Sequence, residues 1–166
     1  MLRLKPLNRL CVALTLSLSS FAQAQPLPYQ NAALPVDSRV ADLIARMTLD
    51  EKIAQLQTRW WEMTPLLDAQ GKFLPEEAAK IMPLGIGELA RPGQHKNHYT
   101  PNKTPRQTAE YTNAIQRWLK ENTRLGIPAI FHDEALHGLS GLYATSFPQA
   151  IALASTWQPP LMEQIY

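Results

Sequence analysis

Apolar positions along this chain fall into helical and strand-like spacings in alternation. Val40, Leu43, Ile44 and Met47 recur at intervals of three and four, which lines one face of a helix. Asp37 stands where a short side-chain oxygen caps the first turn. A second helix is predicted from Thr48: Thr48 and Glu51 have the spacing of a capping box, and Ile53, Leu56 and Trp60 supply its apolar face. From Trp60 to Lys80 the periodicity is poor, with Pro65, Gly71 and Pro75 interrupting it, and a loop is expected apart from a short helical piece over 76–81. The run over 84–89, bounded by Pro83 and by Arg91-Pro92-Gly93, fits a buried strand and a turn. A polar loop with His95, His98 and Tyr99 follows.

Thr104, Pro105 and Gln107 then give a cap, a proline at the first helical position and a capping-box glutamine, ahead of the stripe Tyr111, Ile115, Trp118 and Leu119. Past Leu125-Gly126, residues 127–131 form a second apolar run, a strand despite Pro128. Strand, helix, strand is a βαβ unit, so the fold class is α/β, with a parallel sheet or a parallel barrel. A loop over 132–146, a small-residue helix over 149–155 and a segment opened by Pro159-Pro160 complete the chain. The last stripe, Leu161 and Ile165, meets no helix stop signal by Tyr166, and the expectation is a chain ending inside a helix of a larger domain.

The N-terminus has a different character. Arg3, Lys5 and Arg9 precede an apolar run over 10–21 and then Ala22-Gln23-Ala24, the three parts of a secretory signal. The run is shorter than the ~20 residues that cross a bilayer. Cleavage after Ala24 is therefore expected, followed by an extended, proline-rich lead-in over 25–35 and a folded region over 36–166. Cys11 is the chain's one cysteine and would leave with the signal, so the mature protein has no thiol chemistry. Export to the periplasm or the extracellular space is the resulting expectation.

The 16 Lys and Arg against 14 Asp and Glu shrink to 13 against 14 once the signal is gone. That balance gives nucleic acid or an anionic membrane no electrostatic hold, and neither is expected as a partner after signal cleavage. With 45% apolar and 18% charged residues the composition is that of a globular protein.

The densest polar cluster, His132-Asp133-Glu134 with His137-Gly138, directly follows the second predicted strand. In parallel α/β folds ligands bind at the carboxyl ends of strands, where the loops converge. The plain alternative is a solvated loop making local turns. A metal site is not expected, because His132 and His137 stand five apart where a helical zinc pair needs four. Gly138-Leu139-Ser140-Gly141 lacks the last glycine of a nucleophile elbow. Gly85-Ile86-Gly87 lacks the third glycine of a dinucleotide loop and is expected to be a tight strand, with His95 and His98 as solvated loop residues.

Taken together, Leu125-Gly126-Ile127-Pro128, Asp133-Glu134-Ala135-Leu136-His137-Gly138, Ala144-Thr145-Ser146-Phe147-Pro148-Gln149 and Ala154-Ser155-Thr156-Trp157 resemble the N-terminal barrel domain of family 3 glycoside hydrolases. These are β-glucosidases, β-xylosidases and their relatives. The upstream stretches over 39–43 and 46–53 resemble the family's helical lead-in, so the likeness covers residues 29–166. It implies a partial (β/α)8 TIM-type barrel, the first β/α units only, preceded by that lead-in.

The acidic residue before Ala-Leu-His-Gly binds sugar in the innermost subsite of such enzymes, and here it is Glu134. An ionised carboxylate accepts two hydroxyl hydrogen bonds at once, and charge-assisted bonds are strong. Many β-glucosidases of the family have Asp at this position, whereas β-xylosidases and broad-specificity members often have Glu, whose longer reach tilts the choice only slightly toward a pentose and does not decide glucoside against xyloside. Asp133 and His137 are further candidates for sugar contact, set against a loop hydrogen bond for Asp133 and a framework role for His137. Thr145, Phe147 and Pro148 belong with that framework. Gln158 departs from the family's Asp, which affects a helix cap alone.

Retaining glycosidases need two carboxyl groups about 5 Å apart. The family's nucleophilic Asp lies in a Ser-Asp-Trp-type motif late in the barrel and its acid/base further on; neither motif occurs in these residues, so no catalytic residue is assigned. A barrel needs about 250 residues. The resemblance thus implies the N-terminal fragment of a secreted exo-acting β-glycosidase, acting with retention on a β-linked glucoside or xyloside oligosaccharide or aryl glycoside. It implies no cofactor and no metal, and leaves the oligomeric state open. The competing expectation is a non-catalytic exported sugar-binding or inactive remnant.

Overall fold

The computed structural model describes residues 27–60, 66–93 and 103–165. The expected signal, Cys11, and the loop with His95, His98 and Tyr99 lie outside them. After a 3-10 turn over Pro28–Gln30 come helices α1 (Val36–Arg46) and α2 (Leu49–Gln55), strand β1 (Thr58–Arg59), helix α3 (Pro75–Ile81), strand β2 (Glu88–Ala90), helix α4 (Pro105–Asn122), strand β3 (Ile130–His132) and helices α5 (Ala150–Ala154) and α6 (Pro159–Ile165). None of the described helices is long and apolar enough to cross a membrane.

The three strands are parallel and lie in chain order, β1 beside β2 beside β3, with Thr58 opposite Glu88 and Glu88 opposite Ile130. Helices α3 and α4 are the crossovers, giving two consecutive βαβ units and an α/β fold with a small parallel sheet. The second unit is the one its apolar runs predicted. The first was missed, because β1 is two residues long, carries Thr58 and Arg59 in place of an apolar run, and sits in what was expected to be the end of the second helix.

Both expected strands begin later than their apolar runs. The stretch from Gly85 to Gly87, expected as strand, is the approach to β2: Gly85 has φ +83°, and Gly87 packs so close to the α2 end that a Cβ would lie 2.0 Å from the carbonyl oxygen of Gln55. Gly87 N–H donates to Ala54 O and Glu88 N–H to Gln57 O, which ties α2 to the sheet. Pro128 precedes β3, so its missing N–H costs the ladder nothing. The Gln116 side chain of α4 instead brackets Ala129, accepting from its N–H at 3.0 Å and donating to its carbonyl at 2.7 Å.

The core lies between the sheet, α3, α4 and the 66–73 segment. It holds Leu66, Phe73, Met82, Ile86, Leu89, Tyr111, Ile115, Trp118 and Leu119. All four residues of the predicted α4 stripe are buried, and Phe73 meets Trp118 edge to face at 6.4 Å. Both capping boxes are formed, Thr48 with Glu51 and Thr104 with Gln107.

The lead-in helices depart from expectation in what they bury. The N-cap of α1 is Pro35 and Asp37 stands inside the first turn, where its charge faces the helix N-terminus. No residue of α1 is buried; Val40 and Ile44 are about half-exposed. Ile53 and Leu56 of the expected α2 face are exposed as well. The apolar period is present, but only Leu43 and Met47 of the α1 stripe are partly covered among the described residues.

Glu51 is buried and does two jobs. It closes the α2 capping box and forms a two-pronged ion pair with Arg124, whose Nε lies 2.8 Å from Oε1 and whose Nη2 meets Oε2 and also donates to Arg46 O. The Arg124 guanidinium, opposed by burial, holds the Glu51 carboxyl down at about 2. An unfolded chain takes up the Glu51 proton first as pH falls, so this stabilisation is complete above about pH 4.5 and is lost on the way down to about 2. Thermal melts should show it. Wild type is expected to lose more melting temperature between pH 6 and pH 3 than Glu51→Gln, which keeps the capping box but not the charge. Parallel curves would remove Glu51 as the source.

Candidate functional site

The carboxyl ends of β2 and β3 carry the chain's polar cluster, and each strand hands over to a loop there. After β2, Arg91 has φ +58°, a left-handed conformation uncommon for a side-chain-bearing residue. Its N–H donates to His132 O at 2.6 Å, which carries the β2–β3 ladder one rung past β2. After β3, Asp133 and Glu134 each reach across to the β2 loop by a different bond. Asp133 Oδ2 accepts from Gly93 N–H at 3.2 Å, and Glu134 Oε2 forms an ion pair with Arg91 Nη2. The two adjacent carboxylates therefore take different partners.

Arg91 is largely buried, its side chain 14% exposed, and its guanidinium lies 3.6 Å over the Trp60 ring just past β1. Glu134 is 51% exposed on the outer side of the pair. All three strand ends thus meet at one place: Trp60 from the first, Arg91 from the second, Glu134 from the third.

Around this centre the other candidates take lesser places. Burial raises the Asp133 carboxyl above its ordinary value, a shift opposed by the Gly93 hydrogen bond. Lys103, buried at 4% exposure, faces Asp133 electrostatically and lies 5.6 Å from the Tyr111 ring; its own burial lowers its ammonium. His132 Nδ1 is 3.8 Å from Glu88 Oε2, which also accepts from Thr58 Oγ1 at 2.8 Å. His137 is half-buried with its Nδ1 enclosed and without a hydrogen-bond partner, while its carbonyl accepts from Phe147 N–H at 2.6 Å. Gly138 at φ +89° brings its backbone against Thr145, which folds the 133–149 loop back on itself. Among the described residues no group of three or more His, Cys, Asp or Glu is arranged to hold a metal ion.

Sequence reasoning missed Arg91 and Trp60. The signal was present: strand-end position singled out Glu134, and the same rule applied to the β2 run points to Arg91, which the pattern had assigned to a turn. A separate cleft of about 980 Å³ is lined by Tyr29, Arg39, Arg117, Arg124 and Gly126. It lies on the approach to β3, at the sheet end opposite Glu134, and Arg124 there is already committed to Glu51.

The chain is thus a parallel α/β unit with a half-exposed carboxylate at the carboxyl edge of its sheet, where such folds bind their ligands. The glycosyl hydrolase family 3 N-terminal domain matches residues 48–166, and the chain belongs to that family. A putative beta-xylosidase of Formosa agariphila is 30% identical over 83% of this chain and 18% of its own length. Beta-glucosidase C of Emericella nidulans is 32% identical over 82% of this chain and 22% of its own. A probable beta-glucosidase C of Aspergillus oryzae is 34% identical over 86% and 23%. The chain spans about a fifth of the length of these relatives.

Proposed function

We propose that this chain is the front part of an exported, exo-acting β-glycosidase that hydrolyses β-linked glucosides or xylosides with retention. On this reading residues 1–24 are a cleaved signal, 25–35 a lead-in, and 36–166 the first β/α units of a (β/α)8 barrel. The nucleophile and the acid/base come from residues beyond these. Glu134 binds a hydroxyl pair of the innermost sugar.

The observation that carries the reading is the placement of a half-exposed carboxylate, within the family's own domain, at the joint carboxyl ends of three adjacent parallel strands. Supporting it, β1 and β3 each have one edge unpaired among the described residues, and Ile130 on β3 is 63% exposed. Further barrel strands would take those edges and cover that side chain. The names of the relatives, beta-xylosidase and beta-glucosidase, give the two substrate classes.

Hydrolysis of an aryl β-glucoside and an aryl β-xyloside by the glycosidase that carries this chain tests the proposal, with the first-formed sugar anomer followed by NMR. The β-anomer is expected first. Appearance of the α-anomer first would contradict retention, and no turnover of either substrate would contradict the glycosidase reading. The 166-residue polypeptide alone is expected to be inert; turnover by it that Glu134→Ala abolishes would show that the catalytic groups lie within it.

A further inference from the structure

The geometry points to Arg91, seated on Trp60, as the positioning residue of the sugar-binding carboxylate: it takes one oxygen of Glu134 and leaves the other aimed at the sugar. This rests on the proposed role of Glu134. The pair has an inside and an outside, since Arg91 is nearly enclosed at 14% exposure and Glu134 half-open at 51%. A sugar arriving from solvent meets the carboxylate, and the guanidinium stands behind it.

The guanidinium is itself held from behind. Its flat face lies on the Trp60 ring, a contact that suits arginine and that a lysine ammonium reproduces poorly. The backbone beneath is fixed in the left-handed region by the bond to His132 O, and the neighbouring Asp133–Gly93 bond locks the same two loops together. Strained backbone persists where surrounding bonds over-determine it, and here they converge on the aim of one side chain. A sugar hydroxyl then finds a carboxylate already oriented, and its binding need not bear the cost of ordering a free glutamate.

A double-mutant cycle on the glycosidase that carries this chain tests this, reading kcat and KM on the aryl β-glycoside it cleaves faster. Arg91→Met is expected to lower kcat/KM about 30-fold and Arg91→Lys about tenfold, as loss of a charged hydrogen-bond partner implies. In a Glu134→Ala background either change should cost less than about threefold, because Arg91 would act through a group no longer present. An arginine that merely supports the fold would cost the same factor in both backgrounds, and that result would overturn the inference. Should Arg91→Met fail to fold, Arg91→Lys completes the cycle. Trp60→Phe, which keeps an aromatic platform, is expected to cost less than Arg91→Lys. Absence of turnover in the wild type would overturn the proposed function and this inference with it; an active wild type disabled by Glu134→Ala, with an undiminished Arg91 effect in that background, would overturn the inference alone.

Discussion

Truncating Glu134 to alanine is expected to lower kcat/KM on aryl β-glycosides by about 10²-fold or more, while the melting temperature moves by no more than a few degrees. Hydrogen bonds to a charged group contribute about 1.5–3 kcal/mol each, so losing two hydroxyl contacts removes at least two powers of ten. The stability effect is small because the Glu134 side chain is half-exposed and the enclosed Arg91 guanidinium keeps its contact with the Trp60 ring when the carboxylate is gone. A fall in kcat at nearly constant KM would mean that the contact tightens in the transition state, and a rise in KM alone that it holds substrate and transition state equally. An unchanged kcat/KM would remove Glu134 from the sugar site.

Gly138→Ala should behave in the opposite way, losing fold and activity together. A Cβ at Gly138 would stand 2.1 Å from the carbonyl oxygen of Thr145, and φ +89° is strained for any side-chain-bearing residue. Backbone, not a flexible side-chain tip, must move to relieve the clash. The expected cost is about 2–4 kcal/mol, with the 133–149 loop detached from its Phe147–His137 bond. Thermal unfolding checks this: a melting temperature close to that of wild type would show that the loop absorbs the methyl group.

The contrast between these two variants follows how each residue was legible in the sequence. Glu134 was visible as chemistry, a carboxylate placed after an apolar strand. Gly138 was visible only as part of a motif, since nothing in a one-dimensional pattern says that Thr145 returns to within contact of it. Local signals were faithful where bonding is local. Thr48 with Glu51 and Thr104 with Gln107 pair within one turn, and the α4 stripe from Tyr111 to Leu119 faces the core.

Signals that depend on a distant partner were less so. The α1 period identified a face, but burial needs something to lie against it, and Val40 and Ile44 remain open. The apolar runs before β2 and β3 are longer than the strands because residues such as Ile86 and Ala129 are buried on the way into the sheet without pairing in it. Strand β1 escaped notice because its place in the ladder comes from Glu88 and Leu89, thirty residues later, and not from its own side chains. Arg91 is the same case at the site: its partners, Trp60, His132 and Glu134, are brought to it only when the three strands align.

On the proposed function a sugar sits at the carboxyl ends of these strands, against Glu134. Crystals of the longer glycosidase proposed to contain this chain, grown with xylose or glucose, are the decisive test. A sugar hydroxyl within hydrogen-bond distance of the Glu134 carboxylate, with Arg91 on its far side, is expected. A sugar bound elsewhere in the enzyme, with Glu134 facing solvent, would contradict it.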